Sequence, residues 1–108
     1  MKVKESLSLY AKCSDLILFL GEELCLPENV IERAFNLLDK IFKDSGVRLK
    51  IQRSKPAGIV SGLIYLAAKQ EGEWLTQIEI VKALNGAVTS ATLRNNYKKL
   101  IRLMNVKE

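Results

Sequence analysis

One run of residues limits the fold of this chain more than any other. It follows Pro56 and extends from Ala57 to Ala68, with large aliphatic residues interleaved among Ala, Gly and Ser. Small side chains let neighbouring backbones approach closely, and apolar groups nearly all round leave no face suited to water. The run is shorter than the roughly twenty residues that a membrane-spanning helix needs. It therefore predicts a central helix surrounded by other helices.

Two helices are predicted before this run. Apolar residues at helical intervals predict a first helix from about Glu5 to Leu20, with Gly21 near its end. A second apolar stripe begins after Pro27, which suits a helix start, and stops near Ser45 and Gly46. The segment 47–55 carries four basic residues and no acidic residue, and we interpret it as a basic connecting loop.

Two more helices, joined by a tight turn, are predicted after the central run. Thr76 and Glu79 have the spacing of a capping box, so a short helix is expected to start there. The pair Asn85-Gly86 suits the turn because both residues tolerate positive φ. Thr89 is a suitable cap for a last helix that runs to about Met104. The last two of five predicted helices thus form a helix-turn-helix.

Length and charge narrow the class of protein. With 108 residues and 48% hydrophobic content, residues 1–108 are interpreted as a single domain with one core. The longest apolar stretch, Leu16 to Leu20, is too short for a membrane span, so we expect a soluble, intracellular protein without a membrane partner. A net charge of +5 favours a polyanion or an acidic surface as partner, although solubility alone also explains such an excess.

The chemistry of an enzyme is not visible in the sequence. There is no His, and Cys13 and Cys25 lie apart in apolar surroundings without a CxxC pair. Both cysteines are therefore expected to be buried thiols, and no zinc site is expected. Carboxylate pairs and glycine-rich phosphate loops are also missing. We expect no catalysis, cofactor, metal or small-molecule substrate.

The last predicted helix has an apolar face and a polar face. The polar face carries Ala91, Arg94, Asn95 and Lys98. In a major groove, Ala91 suits a thymine methyl, Arg94 reaches guanine O6 and N7, and Asn95 suits adenine or a phosphate. The same pattern also fits a capped helix with a solvated side, so this signal is weak by itself. It gains weight from Thr76, Gln77 and the basic loop, which could hold the DNA backbone beside the groove.

Several motifs together point to a family. They are Lys55-Pro56-Ala57-Gly58-Ile59, Leu63 through Ala68, Thr76-Gln77, and Val88-Thr89 with Thr92-Leu93-Arg94-Asn95 and Tyr97-Lys98. They resemble the second cyclin-like repeat of the transcription factor B family (archaeal TFB, eukaryotic TFIIB). The motifs match from Lys55 to Leu100, and the earlier residues match only in pattern. The resemblance implies an all-α, five-helix cyclin-like fold.

The resemblance also implies partners and site residues. The last two helices would bind the B recognition element, which lies upstream of the TATA box, beside DNA-bound TATA-binding protein. Ala91 and Arg94 fall where base contacts are made, and Tyr97 is expected in the core. Candidates for phosphate contacts are Lys55, Thr89, Ser90 and Lys98, together with Thr76 and Gln77. Double-stranded promoter DNA, TATA-binding protein and RNA polymerase are the implied partners, in the archaeal cytoplasm at the nucleoid.

Three departures from the family pattern matter. The zinc ribbon, the segment that enters RNA polymerase and the first cyclin repeat are absent, so the chain is either a fragment or a diverged single-repeat protein. The turn Gly86-Ala87-Val88-Thr89 has one residue more than is usual in the family, which could re-aim the last helix. Ala91 replaces a larger Val, so a different base preference is expected.

Two other hypotheses remain open at this stage. A protein-interaction module would use Trp74, Phe42, Phe35 and Leu49 as an exposed apolar patch, although most of these are expected in the core. A single-repeat regulator would compete with the full factor for promoters, or attach to the polymerase machinery without reading DNA.

Overall fold

The computed structural model describes residues 3–51 and 54–105 and confirms the all-α fold class. These two ranges contain six α-helices and no strand. In chain order they are α1 (Val3–Glu23), α2 (Glu28–Lys43), α3 (Ser45–Ile51), α4 (Pro56–Gln70), α5 (Gln77–Ala83) and α6 (Ser90–Met104). The five predicted helices correspond to α1, α2, α4, α5 and α6, and α3 is additional.

The central position predicted for α4 is confirmed. It packs against α1, α2, α5 and α6, and Ile59, Leu63, Ile64 and Leu66 are fully buried. Buried residues from all six helices join in one hydrophobic cluster around it. Within the described ranges, no helix combines the length and the apolar character needed to cross a membrane.

Helix α3 (Ser45–Ile51) replaces part of the basic loop predicted for 47–55, so that prediction was wrong for residues 47–51. Val47 and Ile51 are one helical turn apart and both are buried, which anchors the helix to the core. Asp44 stabilises its start, because its carboxylate accepts hydrogen bonds from the backbone N–H of Gly46 at 2.9 Å and of Val47 at 3.2 Å. Arg53, also assigned to the loop, lies outside the described residues.

The end of α1 differs from the prediction at two residues. Gly21 lies inside the helix, where a Cβ atom would be 2.8 Å from Ile31 Cδ1, so its absence allows α2 to approach closely. The chain reverses at Cys25, which has a φ of 50°, and Leu26 N donates to Gly21 O at 2.9 Å. Cys25 is consequently exposed, and the expectation that both thiols are buried holds only for Cys13.

The end of α4 is tied to α2 by polar contacts. Glu71 accepts hydrogen bonds from Asn29 Nδ2 at 3.0 Å and from Arg33 Nε at 2.9 Å. These bonds from Asn29 and then Arg33 hold the pKa of the Glu71 carboxyl below its usual value. The contacts fix the point at which the chain leaves α4 for α5.

Local signals place α5 and α6 as predicted. Thr76 and Glu79 form the capping box, and Thr89 Oγ1 accepts a hydrogen bond from Thr92 N at 3.1 Å. Asn85 and Gly86 have φ angles of 49° and 86°, so the turn uses two consecutive left-handed residues. Helices α5 and α6 pack against each other across this turn, which is the predicted helix-turn-helix.

Candidate nucleic-acid interface

Helix α6 divides into the two predicted faces. Leu93, Tyr97 and Leu100 are buried, and the Tyr97 ring meets Tyr65 edge-on with centroids 4.9 Å apart. The opposite side, called the polar face below, consists of Ala91, Arg94, Asn95 and Lys98, and all four are exposed. The core position expected for Tyr97 is therefore confirmed, and the polar face is open to a partner.

The backbones of α4 and α6 touch at Gly62. A Cβ atom at this residue would lie 2.7 Å from Tyr97 N and 2.9 Å from Asn96 C, which is closer than packed atoms approach. One turn earlier, Gly58 faces only side-chain atoms, Asn96 Nδ2 at 3.2 Å and Thr92 Cγ2 at 3.5 Å. This contact fixes the direction in which α6 presents its polar face.

A side-chain hydrogen bond joins the two helices of the helix-turn-helix. Arg94 NH1 donates to Gln77 Oε1 at 3.3 Å, from α6 to the first residue of α5. A guanidinium group has five N–H donors, so one bond to Gln77 leaves several for a ligand. Ser90 is half-buried and lines the same groove as Thr76, Gln77 and Arg94, which brings four of the predicted site residues together.

Two of the predicted phosphate ligands use their hydroxyl groups to cap helices. Thr76 Oγ1 donates to Glu79 Oε1 at 2.9 Å and accepts from Glu79 N at 3.2 Å. Thr89 Oγ1 lies 3.0 Å from Thr92 Oγ1 besides capping α6. An anion at Thr76 would have to replace the Glu79 carboxylate. The first turn of α6 has no acidic residue, so the start of α6 suits an anion better than the start of α5 does.

Lys55 lies on the side of the domain that carries the helix-turn-helix turn. It is exposed at the start of α4 and lines a shallow groove of about 540 Å³ with Ala87 of the turn. Lys12 and Asp15 of α1 line the same groove. No sequence signal identifies Lys12, because its proximity to the turn depends on how α1 packs against the other helices.

The charge of the chain is unevenly distributed around this interface. The segments 45–70 and 80–105 contain no Asp or Glu, and they include all of α3, α4 and α6. Glu71, Glu73 and Glu79 lie between them in the sequence. Helix α6, which carries Arg94 and Lys98, and helix α4, which follows Lys55, therefore contain basic residues and no acidic ones. Among the described residues, His, Cys, Asp and Glu form no group of three suited to a metal ion.

The four residues considered for an apolar docking patch behave in two ways. Phe35 and Phe42 are half-buried against the core, and the Phe42 ring packs edge-on against Tyr10 with centroids 5.4 Å apart. Trp74 is 90% exposed and Leu49 is 52% exposed. Ile78 of α5 is also exposed, and sequence analysis missed it because a single Ile at a capped helix start suggests core.

Comparison with known proteins gives one family. The family model described as the transcription factor TFIIB repeat matches residues 8–103. Transcription initiation factor IIB of Pyrococcus furiosus is 35% identical over 99 residues, which are 92% of this chain and 31% of that protein. The protein of the same name from Ignicoccus hospitalis is 37% identical over 95 residues, covering 88% of this chain and 28% of that protein. The chain thus spans about a third of the length of these curated relatives.

Proposed function

Because the chain belongs to the transcription factor TFIIB repeat family, we propose that it is a promoter DNA-binding module of a transcription initiation factor. Its relatives are named transcription initiation factor IIB, and they are longer than this chain. In this proposal residues 1–108 act as one cyclin-like domain at the archaeal nucleoid. The domain works by binding and not by catalysis.

One observation carries the proposal: α6 is fixed on one side by its backbone contact at Gly62 and presents an exposed polar face on the other. We assign base contacts in the major groove to Ala91, Arg94 and Asn95. Arg94 donates to guanine O6 and N7, and Asn95 meets adenine. Ala91 lies against a thymine methyl group or avoids a clash with it.

We assign contacts with the sugar-phosphate backbone of the DNA to a second set of residues. They are Lys55, Thr76, Gln77, Thr89, Ser90 and Lys98, and a phosphate at Thr76 would take the place of the Glu79 carboxylate that this hydroxyl now contacts. The lysines neutralise phosphates, and the first turn of α6 offers backbone N–H groups to an anion. Gln77 has two roles in this proposal. It contacts the DNA backbone, and it holds Arg94 in position, since the two side chains share a hydrogen bond. Such contacts supply affinity that depends on salt and not on sequence.

TATA-binding protein is the proposed second partner on the same DNA. A single small module buries a limited area on DNA, so its affinity alone is expected to be modest. A complex that already contains TATA-binding protein adds protein contacts and a fixed position along the duplex. RNA polymerase is included as a further partner on the strength of the family resemblance.

The test is fluorescence anisotropy with a labelled duplex that contains a B recognition element and a TATA box. Binding is measured with and without TATA-binding protein at two salt concentrations, and a duplex with a scrambled upstream element is the control. We expect binding that weakens as salt rises, strengthens with TATA-binding protein and falls on the scrambled duplex. No binding at low salt would contradict the proposal and favour a protein-interaction module.

A further inference from the structure

Two exposed apolar side chains lie beside the polar face of α6 without belonging to it. Trp74, the only tryptophan, is 90% exposed, and Ile78 is 61% exposed. Both line a groove of about 510 Å³ between the end of α4 and the starts of α5 and α6. Because these two exposed apolar side chains are grouped in one groove and not scattered singly, the groove is a candidate ligand site.

The groove continues into the candidate DNA interface. Gln77, Ser90 and Arg94 line it together with Trp74 and Ile78. On its other side, Lys69 Nζ lies 5.1 Å from the centre of the Tyr65 ring, and both residues line the groove. The lining also includes Glu73. The groove therefore combines two exposed apolar side chains with the cations Lys69 and Arg94 and one carboxylate, and it adjoins the side chains assigned to DNA.

A strand of duplex DNA has the chemistry that fits this combination. Its deoxyribose rings present C–H groups that pack on aromatic and aliphatic surfaces, and its phosphates require cations or N–H donors. Trp74 supplies a flat apolar surface and one indole N–H, and Lys69 supplies a charge. In helix-turn-helix proteins the first helix crosses the DNA backbone, and Trp74 lies three residues before the first helix here, α5.

We propose that Trp74 and Ile78 form a binding site for the sugar-phosphate backbone of the duplex whose bases α6 contacts. The indole of Trp74 packs on a deoxyribose and donates Nε1–H to a phosphate, while Lys69 neutralises the neighbouring phosphate. This inference rests on the proposed function, because it uses the same duplex. An acidic peptide also matches an apolar groove with two cations, but it would compete with DNA for Arg94.

The first experiment uses the emission of Trp74. The full chain is titrated with the promoter duplex in the presence of TATA-binding protein, and the same titration is run with Trp74→Phe. The difference between the two emission spectra isolates Trp74 from any tryptophan in the partner. We expect quenching of this difference signal that follows the anisotropy of the labelled duplex.

The second experiment measures affinity for three variants. Trp74→Ala is expected to weaken binding about tenfold, since burial of a large apolar side chain is lost. The loss should be equal on the native and scrambled upstream elements, because a backbone contact carries no sequence information. The slope of log affinity against log salt concentration gives the number of ions released on binding. Lys69→Ala should lower this number by about one, and Trp74→Ala should leave it unchanged. Leu18→Ala removes an apolar side chain of α1 that is 53% exposed outside this groove, and it should bind as the wild type does.

The outcomes separate this inference from the proposed function. If Trp74→Ala binds with wild-type affinity and the emission of Trp74 is unchanged, while Arg94→Ala loses sequence preference, the backbone site is refuted and the promoter-binding function stands. If the wild-type chain does not bind the duplex, both fail. If an acidic peptide quenches Trp74 and the duplex does not, the groove is a protein-docking site and the inference is overturned.

Discussion

Arg94 and Lys98 share the polar face of α6 but are expected to contribute differently to binding. Arg94→Ala should cost about 1–3 kcal/mol on the preferred duplex and reduce its advantage over a scrambled duplex, since guanidinium contacts with guanine select a base. Lys98→Ala should weaken binding to both duplexes alike, and it should lower the number of ions released on binding by about one. Anisotropy titrations at several salt concentrations measure both effects. Equal losses of sequence preference in the two variants would contradict the docking of α6.

The two cysteines provide a direct measure of packing. Cys13 is fully buried, and burial raises the pKa of its thiol to about 12, whereas Cys25 is exposed. Since the thiolate is the reactive form, we expect a disulfide reagent to label one cysteine per native chain and both in denaturant. The rapid reaction of the native chain with the reagent should disappear in Cys25→Ser and remain in Cys13→Ser. Rapid reaction of Cys13 in the native chain would contradict its buried position.

Cys25 also illustrates where prediction from neighbouring residues fails. It stands between Leu24 and Leu26, and this apolar context suggested burial. Both leucines do pack against the core, but the chain reverses direction at Cys25 with positive φ. A left-handed residue after a helix is usually Gly, so the sequence carried no sign of the reversal.

Between elements, the contact of α4 with α6 makes a strong prediction for Gly62. Gly62→Ala should destabilise the domain by about 1–3 kcal/mol, because its Cβ would meet backbone atoms of α6 that cannot move aside separately. The higher helix propensity of Ala offsets only about 1 kcal/mol of this cost. Urea unfolding followed by circular dichroism measures the difference in the free energy of unfolding.

Gly58→Ala is the matched control for Gly62→Ala. It lies in the same helix and faces the same partner helix, but its neighbours are side-chain atoms of Asn96 and Thr92. These side chains can adjust, so the change in stability should stay within about 1 kcal/mol. Equal destabilisation by both substitutions would show that backbone contact is not the cause.

The link between α2 and the end of α4 should make stability depend on pH. The hydrogen bonds from Asn29 and Arg33 lower the pKa of Glu71 in the folded state, so the carboxylate stabilises the fold above the unfolded pKa of about 4.3. This contribution is lost as the pH falls through the folded pKa. Glu71→Gln should therefore be less stable than the wild type at pH 7 and closer to it at pH 3. A constant difference across this range, measured by thermal unfolding, would refute the linkage.

The helices themselves were predictable wherever their signals are local. Capping at Thr76 and Thr89 and the turn at Asn85 depend on residues close in sequence, and the structure has them as expected. Helix α3 was missed because Leu49, between buried Val47 and Ile51, gives the segment the alternating pattern of an extended chain. Tertiary packing selects the helix, since it buries the two outer residues and leaves Leu49 exposed.

For the whole molecule, the central position of α4 predicts cooperative unfolding. Four helices pack directly against α4, and the buried residues form one cluster, so no part of the described chain has a separate core. We expect one transition in circular dichroism, with equal calorimetric and van't Hoff enthalpies. The emission of Trp74 should shift little, because its side chain is already 90% exposed. Separate transitions for α1–α2 and α4–α6 would contradict the prediction that the chain is a single domain.

The candidate site shows what sequence alone could not supply at this scale. The motifs predicted the family, which the match over residues 8–103 confirms, and they identified the polar face of α6. The hydrogen bond between Gln77 and Arg94 and the position of Lys55 beside Ala87 join residues that are distant in the chain. Such contacts follow from the angles at which helices pack, and single residues do not encode those angles.

The contact at Gly62 has a consequence for how domains of this kind diversify. Since the backbone of α6 rests on that of α4, a tilt of α6 would have to disturb the most deeply buried helix of the molecule. Exchange of side chains on the polar face meets no such obstacle, because those residues project away from the core. If α6 reads bases as proposed, new base preferences are expected to arise by substitution at positions such as Ala91, while the orientation of the helix is kept.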